Sequence, residues 1–218
     1  ITAITAQNTE DVSDVFELPT SIIASQLDAV FDDFDIAAVK TGMLSSTAIV
    51  ELMAKMLAIQ KVANLVVDPV MVSKSGHALL KPDAIDALKK LLFPLALVVT
   101  PNIHEAQQLS GLAIANLADA RRAAKIIHGF GPKYVLIKGG HGAGETSTDL
   151  LLLAGGVRQH FSAPRHPTRN THGTGCTLSS AIAAGLAKGL LPTEAISEAK
   201  DYVTSALRAS EDLLIGHG

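Results

Sequence analysis

Two hydrophobic rhythms alternate along the chain. Short apolar runs rich in β-branched residues give way to longer stretches whose apolar positions recur at helical spacing. Residues 1–6 read as a strand with no initiator Met and no lead-in loop, which leads us to expect more chain upstream. Residues 12–18 suit a short edge strand, and Pro19 opens an amphipathic helix to about residue 34. A strand over 36–39 ends at Lys40-Thr41-Gly42-Met43, and Ser45 or Ser46 then caps a helix through residue 60. Leu65-Val66-Val67 is apolar throughout, as in a strand covered on both faces, and stops at Asp68-Pro69.

The same unit recurs. A helix over 82–92 leads to a buried strand over 95–99, and Thr100-Pro101-Asn102 turns into a helix holding Glu105. A helix over 116–130 precedes a strand over 134–137 that ends in Lys138-Gly139-Gly140. Segments 147–153 and 157–163, joined by Gly155-Gly156, predict a hairpin, and helices over 173–188 and 193–214 complete the chain. Repeated alternation of strand and helix predicts an α/β fold: a largely parallel sheet with helices on both faces and right-handed crossovers. No internal repeat or linker divides residues 1–218, so a single domain is expected. In such sheets ligands gather beyond the carboxyl ends of the strands. Lys40-Thr41, Asp68, Asn102 with Glu105, and Lys138 fall at four successive strand ends and are expected to face one crevice.

Composition narrows the partners. With 48% hydrophobic residues in 218, the chain can bury a sizeable core. Its net charge is −3 and its 18 basic residues are scattered, so no basic stripe offers itself to nucleic acid. A single Cys allows no internal disulfide, which suits a reducing cytoplasm. The longest apolar runs are far too short to span a bilayer, and no membrane partner is expected. Of the eight histidines, His104, His128, His141, His160, His166 and His172 lack the spacing of zinc ligands.

The richest segment for chemistry runs from Asn170 through Thr171-His172-Gly173-Thr174-Gly175-Cys176 to Ser179 and opens an Ala-rich helix. Two glycines admit close backbone approach, and the positive helix end attracts phosphate oxygens; a tight turn before a helix is the bland alternative. There is no Gly-Lys-Ser/Thr ending, which excludes a P-loop, and Gly173 and Gly175 lie too late for a dinucleotide fingerprint. Cys176 falls in the first helical turn, where thiolate is favoured; it can serve as proton acceptor or nucleophile, or be an inert core residue. A hydrolase triad is disfavoured, because His172 has no orienting partner and no nucleophile elbow surrounds the Cys. Asp68 and Glu105 suit either helix capping or Mg²⁺ held through water and phosphates. Lys138, beside two glycines, is placed to neutralise a transferring phosphoryl group, unless it is simply solvated. Met43 and Val70, in loops just past strands, can sandwich a flat ring.

Lys40-Thr41-Gly42-Met43-Leu44, Val67-Asp68-Pro69-Val70-Met71 with Lys74-Ser75-Gly76, Thr100-Pro101-Asn102 with Glu105-Ala106, Lys138-Gly139-Gly140-His141 and the segment from Asn170 to Ser179 run in order along the whole chain. Together they resemble the hydroxymethylpyrimidine/phosphomethylpyrimidine kinases of thiamine biosynthesis, within the ribokinase-like superfamily. The resemblance implies a ribokinase-like sheet with ATP across its carboxyl edge. It further implies phosphorylation of a hydroxymethylpyrimidine and then of its monophosphate at one site. Carried over, Gly173, Thr174 and Gly175 form the anion hole and Cys176 takes the place of an Asp base found in most ribokinase relatives. Lys138, Asn102, Glu105 and Thr174 meet ATP phosphates, and Asp68 and Glu105 serve Mg²⁺. Gln7 hydrogen-bonds the aminopyrimidine, with Met43 and Val70 against its ring faces. The family pattern has a strand, a Gly-rich Asp-Pro-Ser-Gly-Gly segment and a helix ahead of the position of Ile1, and continues beyond Ile215-Gly216-His217-Gly218, so the resemblance implies further chain at both ends. Relatives are often homodimers. The rival expectations are a pyridoxal or pyridoxine kinase of vitamin B6 salvage, and a non-catalytic ligand-binding relative.

Overall fold

The computed structural model of the chain describes residues 1–73, 76, 78–140, 144–156 and 158–217. Expectations that fall on Lys74, Ser75, His141, Val157 and Gly218 lie outside the described residues. Strands β1 (Ala3–Gln7) and β2 (Val12–Glu17) pair antiparallel as a separate two-stranded ribbon. Helix α1 (Thr20–Asp33) follows, then β3 (Val39–Thr41), α2 (Thr47–Ile59) and β4 (Leu65–Val67). Helix α3 (Pro82–Ala87) continues as a π-helical turn over Leu88–Leu92 and a 3₁₀ turn over Phe93–Leu95, leading into β5 (Val98–Val99). After α4 (Ile103–Ser110) and α5 (Leu117–His128) come β6 (Tyr134–Ile137), β7 (Thr146–Leu152), β8 (Arg158–Pro164), α6 (Thr174–Ala187) and α7 (Pro192–Ala209).

Among the described residues the main sheet has the order β3-β4-β5-β6-β7-β8, parallel through β6 and antiparallel across β7 and β8. Strand side chains alternate between faces, and the core is split accordingly. Val67, Val99, Val135, Ile137, Leu150 and Leu152 pack with α1 to α5. Val66, Val98, Leu136 and Leu151 pack with Leu178, Ile182 and Leu186 of α6 and Ala195, Ile196 and Ala199 of α7. Helices therefore cover both faces, as the alternating pattern predicts.

Several boundaries differ from the expectation. Strand β3 is shifted from 36–39 to Val39–Thr41, because its register is set by pairing Val39, Lys40 and Thr41 with Leu65, Val66 and Val67. Strand β5 keeps only two residues of the run over 95–99, since the 3₁₀ turn through Pro94 consumes its start. Ser46 occupies the N-cap of α2 without a side-chain capping bond. Helix α7 stops at Ala209 rather than 214, where the Asn170 amide donates to the carbonyls of Ser210 and Leu213, at 2.9 Å each. Among the described residues no helix is long and apolar enough to cross a membrane.

Candidate active site

The parallel strands bring the predicted polar residues side by side. The Asp68 N–H donates to the Thr41 carbonyl at 3.0 Å, the Thr100 N–H to Val67 at 2.9 Å, and the Lys138 N–H to Pro101 at 2.8 Å. Asn102 and Lys138 form an isolated parallel bridge just past β5 and β6. The sheet thus carries Thr41, Asp68, Asn102 and Lys138 across its carboxyl edge. Lys40 belongs to β3 itself, and its ammonium folds back over Gly42.

At the centre of this edge, Lys138 Nζ lies 2.7 Å from Asp68 Oδ1, with side-chain exposures of only 12% and 2%. The Thr100 hydroxyl donates to Asp68 Oδ1 at 3.2 Å, and the Ser179 hydroxyl, from α6, to Oδ2 at 3.3 Å. The solvated alternative for Lys138 is thereby excluded. Burial acts to lower the Lys138 pKa, but the carboxylates of Asp68 and Glu105 outweigh it and hold it above the ordinary lysine value, with a smaller contribution from Cys176. Glu105 takes part in helix capping: Asn102 Oδ1 accepts from the Glu105 N–H at 2.9 Å and Glu105 Oε2 accepts from the Asn102 N–H at 2.7 Å. Burial pushes the Glu105 carboxyl up to about 7; the attraction of Lys138 and backbone hydrogen bonds from Asn102 and Met71 oppose the shift, and the Asp68 charge adds to it.

The start of α6 closes the other side. Gly173, at φ +77°, takes the left-handed conformation that lets the chain turn into the helix without a Cβ penalty. A Cβ added at Gly175 would stand 3.3 Å from Lys138 Nζ, so the ammonium lies directly against the first turn. The N–H groups of that turn are among those a helix start leaves without intrahelical partners. Thr174 donates its hydroxyl to the Thr171 carbonyl at 2.9 Å, and Cys176 is exposed. From Cys176 a groove of about 590 Å³ runs between α6 and α7, past Ser180 and Ala184, to Tyr202.

Asp68, Lys138, Gly175 and Ser179 are thus in mutual contact range, with Glu105 beside them. Gln7, Met43 and Val70 stand outside that cluster. Gln7 is exposed at the end of β1, and Met43 and Val70 are half-buried in their loops. The ribbon is tied to the Met43 loop by the Thr2 hydroxyl, which donates to the Met43 carbonyl at 2.8 Å. The sequence alone assigns Thr100 and Ser179 no individual role. Ser179 is 0% exposed, and a serine on the buried face of an apolar helix is the signal that marks it.

A mostly parallel sheet with a buried carboxylate–ammonium pair held against a glycine-rich helix start at its carboxyl edge is the arrangement expected of a small-molecule phosphotransferase of the ribokinase-like type. The family model described as phosphomethylpyrimidine kinase matches residues 1–218. The chain belongs to that family. It is 48% identical over 219 residues to the hydroxymethylpyrimidine/phosphomethylpyrimidine kinase of Streptomyces coelicolor, covering 100% of this chain and 80% of the relative. Among solved structures, phosphomethylpyrimidine kinase of Clostridium difficile superposes with a TM-score of 0.82 at 45% identity, over 95% of this chain and 84% of that one. An ADP complex of Bacillus subtilis pyridoxal kinase superposes with a TM-score of 0.85 at 39% identity, over 94% and 77%. The family and fold anticipated from the ordered motifs are the ones found.

Proposed function

We propose that this protein phosphorylates hydroxymethylpyrimidine at its alcohol with ATP, and then the monophosphate to the diphosphate, in thiamine biosynthesis. The observation that carries this reading is the buried Asp68–Lys138 pair set against Gly175 at the start of α6, in a chain of this kinase family. Gly173, Thr174 and Gly175 cradle the transferring phosphoryl oxygens with backbone N–H groups. Lys138 neutralises their charge, and Asn102, Glu105 and Thr174 face the remaining phosphate groups of ATP. Cys176, exposed beside the groove, accepts the proton of the substrate hydroxyl. Gln7 reads the aminopyrimidine edge while Met43 and Val70 pack on the ring.

The donor set fits Mg²⁺ through water rather than directly. Asp68 Oδ2 accepts one long bond from Ser179, whereas Glu105 Oε2 is committed to the Asn102 N–H. When bound, the ion screens phosphate charge; Asp68 and Glu105 would hold its water shell. A cytoplasmic setting and a homodimeric assembly belong to the same reading.

A second reading, phosphorylation of vitamin B6 alcohols, draws support from the likeness to pyridoxal kinase at a TM-score of 0.85. Steady-state ADP release with hydroxymethylpyrimidine and with pyridoxal decides between them. The leading reading expects the higher kcat/KM for the pyrimidine, and a preference for pyridoxal would replace it with the second.

A further inference from the structure

Asp149 is 2% exposed in β7, directly before the apolar Leu150–Leu152 segment, an unfavourable place for a carboxylate unless its partners are specific. Two hydrogen bonds account for it. Asp149 Oδ1 accepts from the Gly139 N–H at 2.8 Å, and Oδ2 accepts from Lys200 Nζ, reaching over from α7, at 2.9 Å. Lys200 Nζ also donates to the Ser147 hydroxyl at 3.1 Å, and its side chain is only 11% exposed. A buried ion pair contributes little net stability compared with well-packed apolar side chains, so its main consequence here is geometric.

That consequence falls on the segment after β6. Ladder pairing of β6 with β7 ends at Ile137 opposite Leu150, which leaves the Gly139 N–H without a strand partner until Asp149 supplies one. On the next two peptides, the Arg165 guanidinium donates to the Gly139 carbonyl at 3.1 Å and to the Gly140 carbonyl at 2.6 Å. A Cβ at Gly139 would collide with the Thr148 carbonyl oxygen, so β7 presses on this backbone directly. Gly139 is therefore held by its N–H, by its carbonyl and by steric contact. It adjoins Lys138, whose ammonium meets Asp68 and the start of α6.

We propose that Asp149, set by Lys200 and opposed by Arg165, is a positioning residue for phosphoryl transfer: the clamp fixes the Lys138–Gly140 backbone so that Lys138 Nζ is aligned with the moving phosphoryl group. The role assigned to Lys138 rests on the kinase reading above, whereas the clamp on Gly139 stands independently of it.

The test uses the full chain with Lys200→Met, Lys200→Arg and Arg165→Met. Hydrogen exchange of the Gly139 amide is read first, since it reports on the clamp whatever the substrate. Lys200→Met should speed that exchange by about tenfold or more while the melting transition stays above the assay temperature. In the kinase assay kcat should fall about tenfold or more with KM for the pyrimidine within about twofold, and Lys200→Arg should recover most of the loss. If Lys200→Met does not fold, Arg165→Met, at a half-buried position, is expected to show the same split. Unchanged Gly139 exchange, or a kcat within about twofold of wild type in folded Lys200→Met or Arg165→Met, overturns the proposal. Absence of turnover in the wild-type chain instead refutes the kinase reading and leaves the exchange result to judge the clamp.

Discussion

Asp68 and Lys138 form a buried pair to which the proposed function gives a chemical role. Each is desolvated, and removing either partner would strand the other charge, at a cost of about 3–5 kcal/mol. Cys176, by contrast, is exposed and free of disulfide, so its replacement should leave the fold intact. Cys176→Ala is predicted to lower kcat by about a hundredfold or more while KM for ATP moves by less than about threefold, as loss of a general base requires. Steady-state kinetics checks it, and an unchanged kcat would reject the base role. Glu105 gives a pH prediction. Its carboxyl titrates near 7 when folded, against an ordinary 4.5, so the folded state binds a proton more tightly than the unfolded one. Its contribution to stability is therefore full below about pH 4.5 and is lost as pH rises towards 7, by up to about 3 kcal/mol at 1.36 kcal/mol per pH unit. Glu105→Gln should flatten that fall, measured as the urea midpoint against pH in metal-free buffer; an identical slope in the variant would show that other groups carry it.

Among the elements, the two-sided core makes α6 the link between sheet and site. Ile182 is 0% exposed, and it packs in the cluster that holds Val66, Val98 and Leu136. Ile182→Ala is predicted to destabilise the protein by about 2–5 kcal/mol, read from the shift in urea midpoint. A loss below about 1 kcal/mol would mean that the helix is held mainly by α7 instead. Helix periodicity was the most legible feature of the sequence, since α1, α5 and α6 begin and end within two residues of their expected bounds. Strand edges were less so. The apolar run 36–39 looks like a buried strand, yet pairing with β4 selects Val39–Thr41, and cross-strand register is not encoded in local composition. Polar residues at strand ends were legible because they interrupt apolar runs at regular intervals. Ser179, Asp149 and Lys200 were not, because their partners lie 111, 10 and 51 residues away in sequence and only the fold brings them together.

At the scale of the molecule, four parallel strand ends and one helix start converge on a single edge, where the proposed function places phosphoryl transfer. Each half of the cluster is incomplete without the other: the sheet supplies Asp68 and Lys138, and α6 supplies Gly173 to Cys176 and Ser179. The residues to which the proposed function gives substrate discrimination, Gln7 in the β1–β2 ribbon and Met43 and Val70 in their loops, lie outside the hydrogen-bonded cluster. The central proposal is that one site performs two successive transfers, the first to the pyrimidine alcohol and the second to the phosphate of the resulting monophosphate. Its most direct test is a phosphorus NMR time course of the full-length protein with ATP, Mg²⁺ and hydroxymethylpyrimidine. The account predicts the pyrimidine monophosphate first and its diphosphate second, with ADP formed at each step. Resonances of free inorganic phosphate and ADP alone, or no change in the ATP signals, would contradict it.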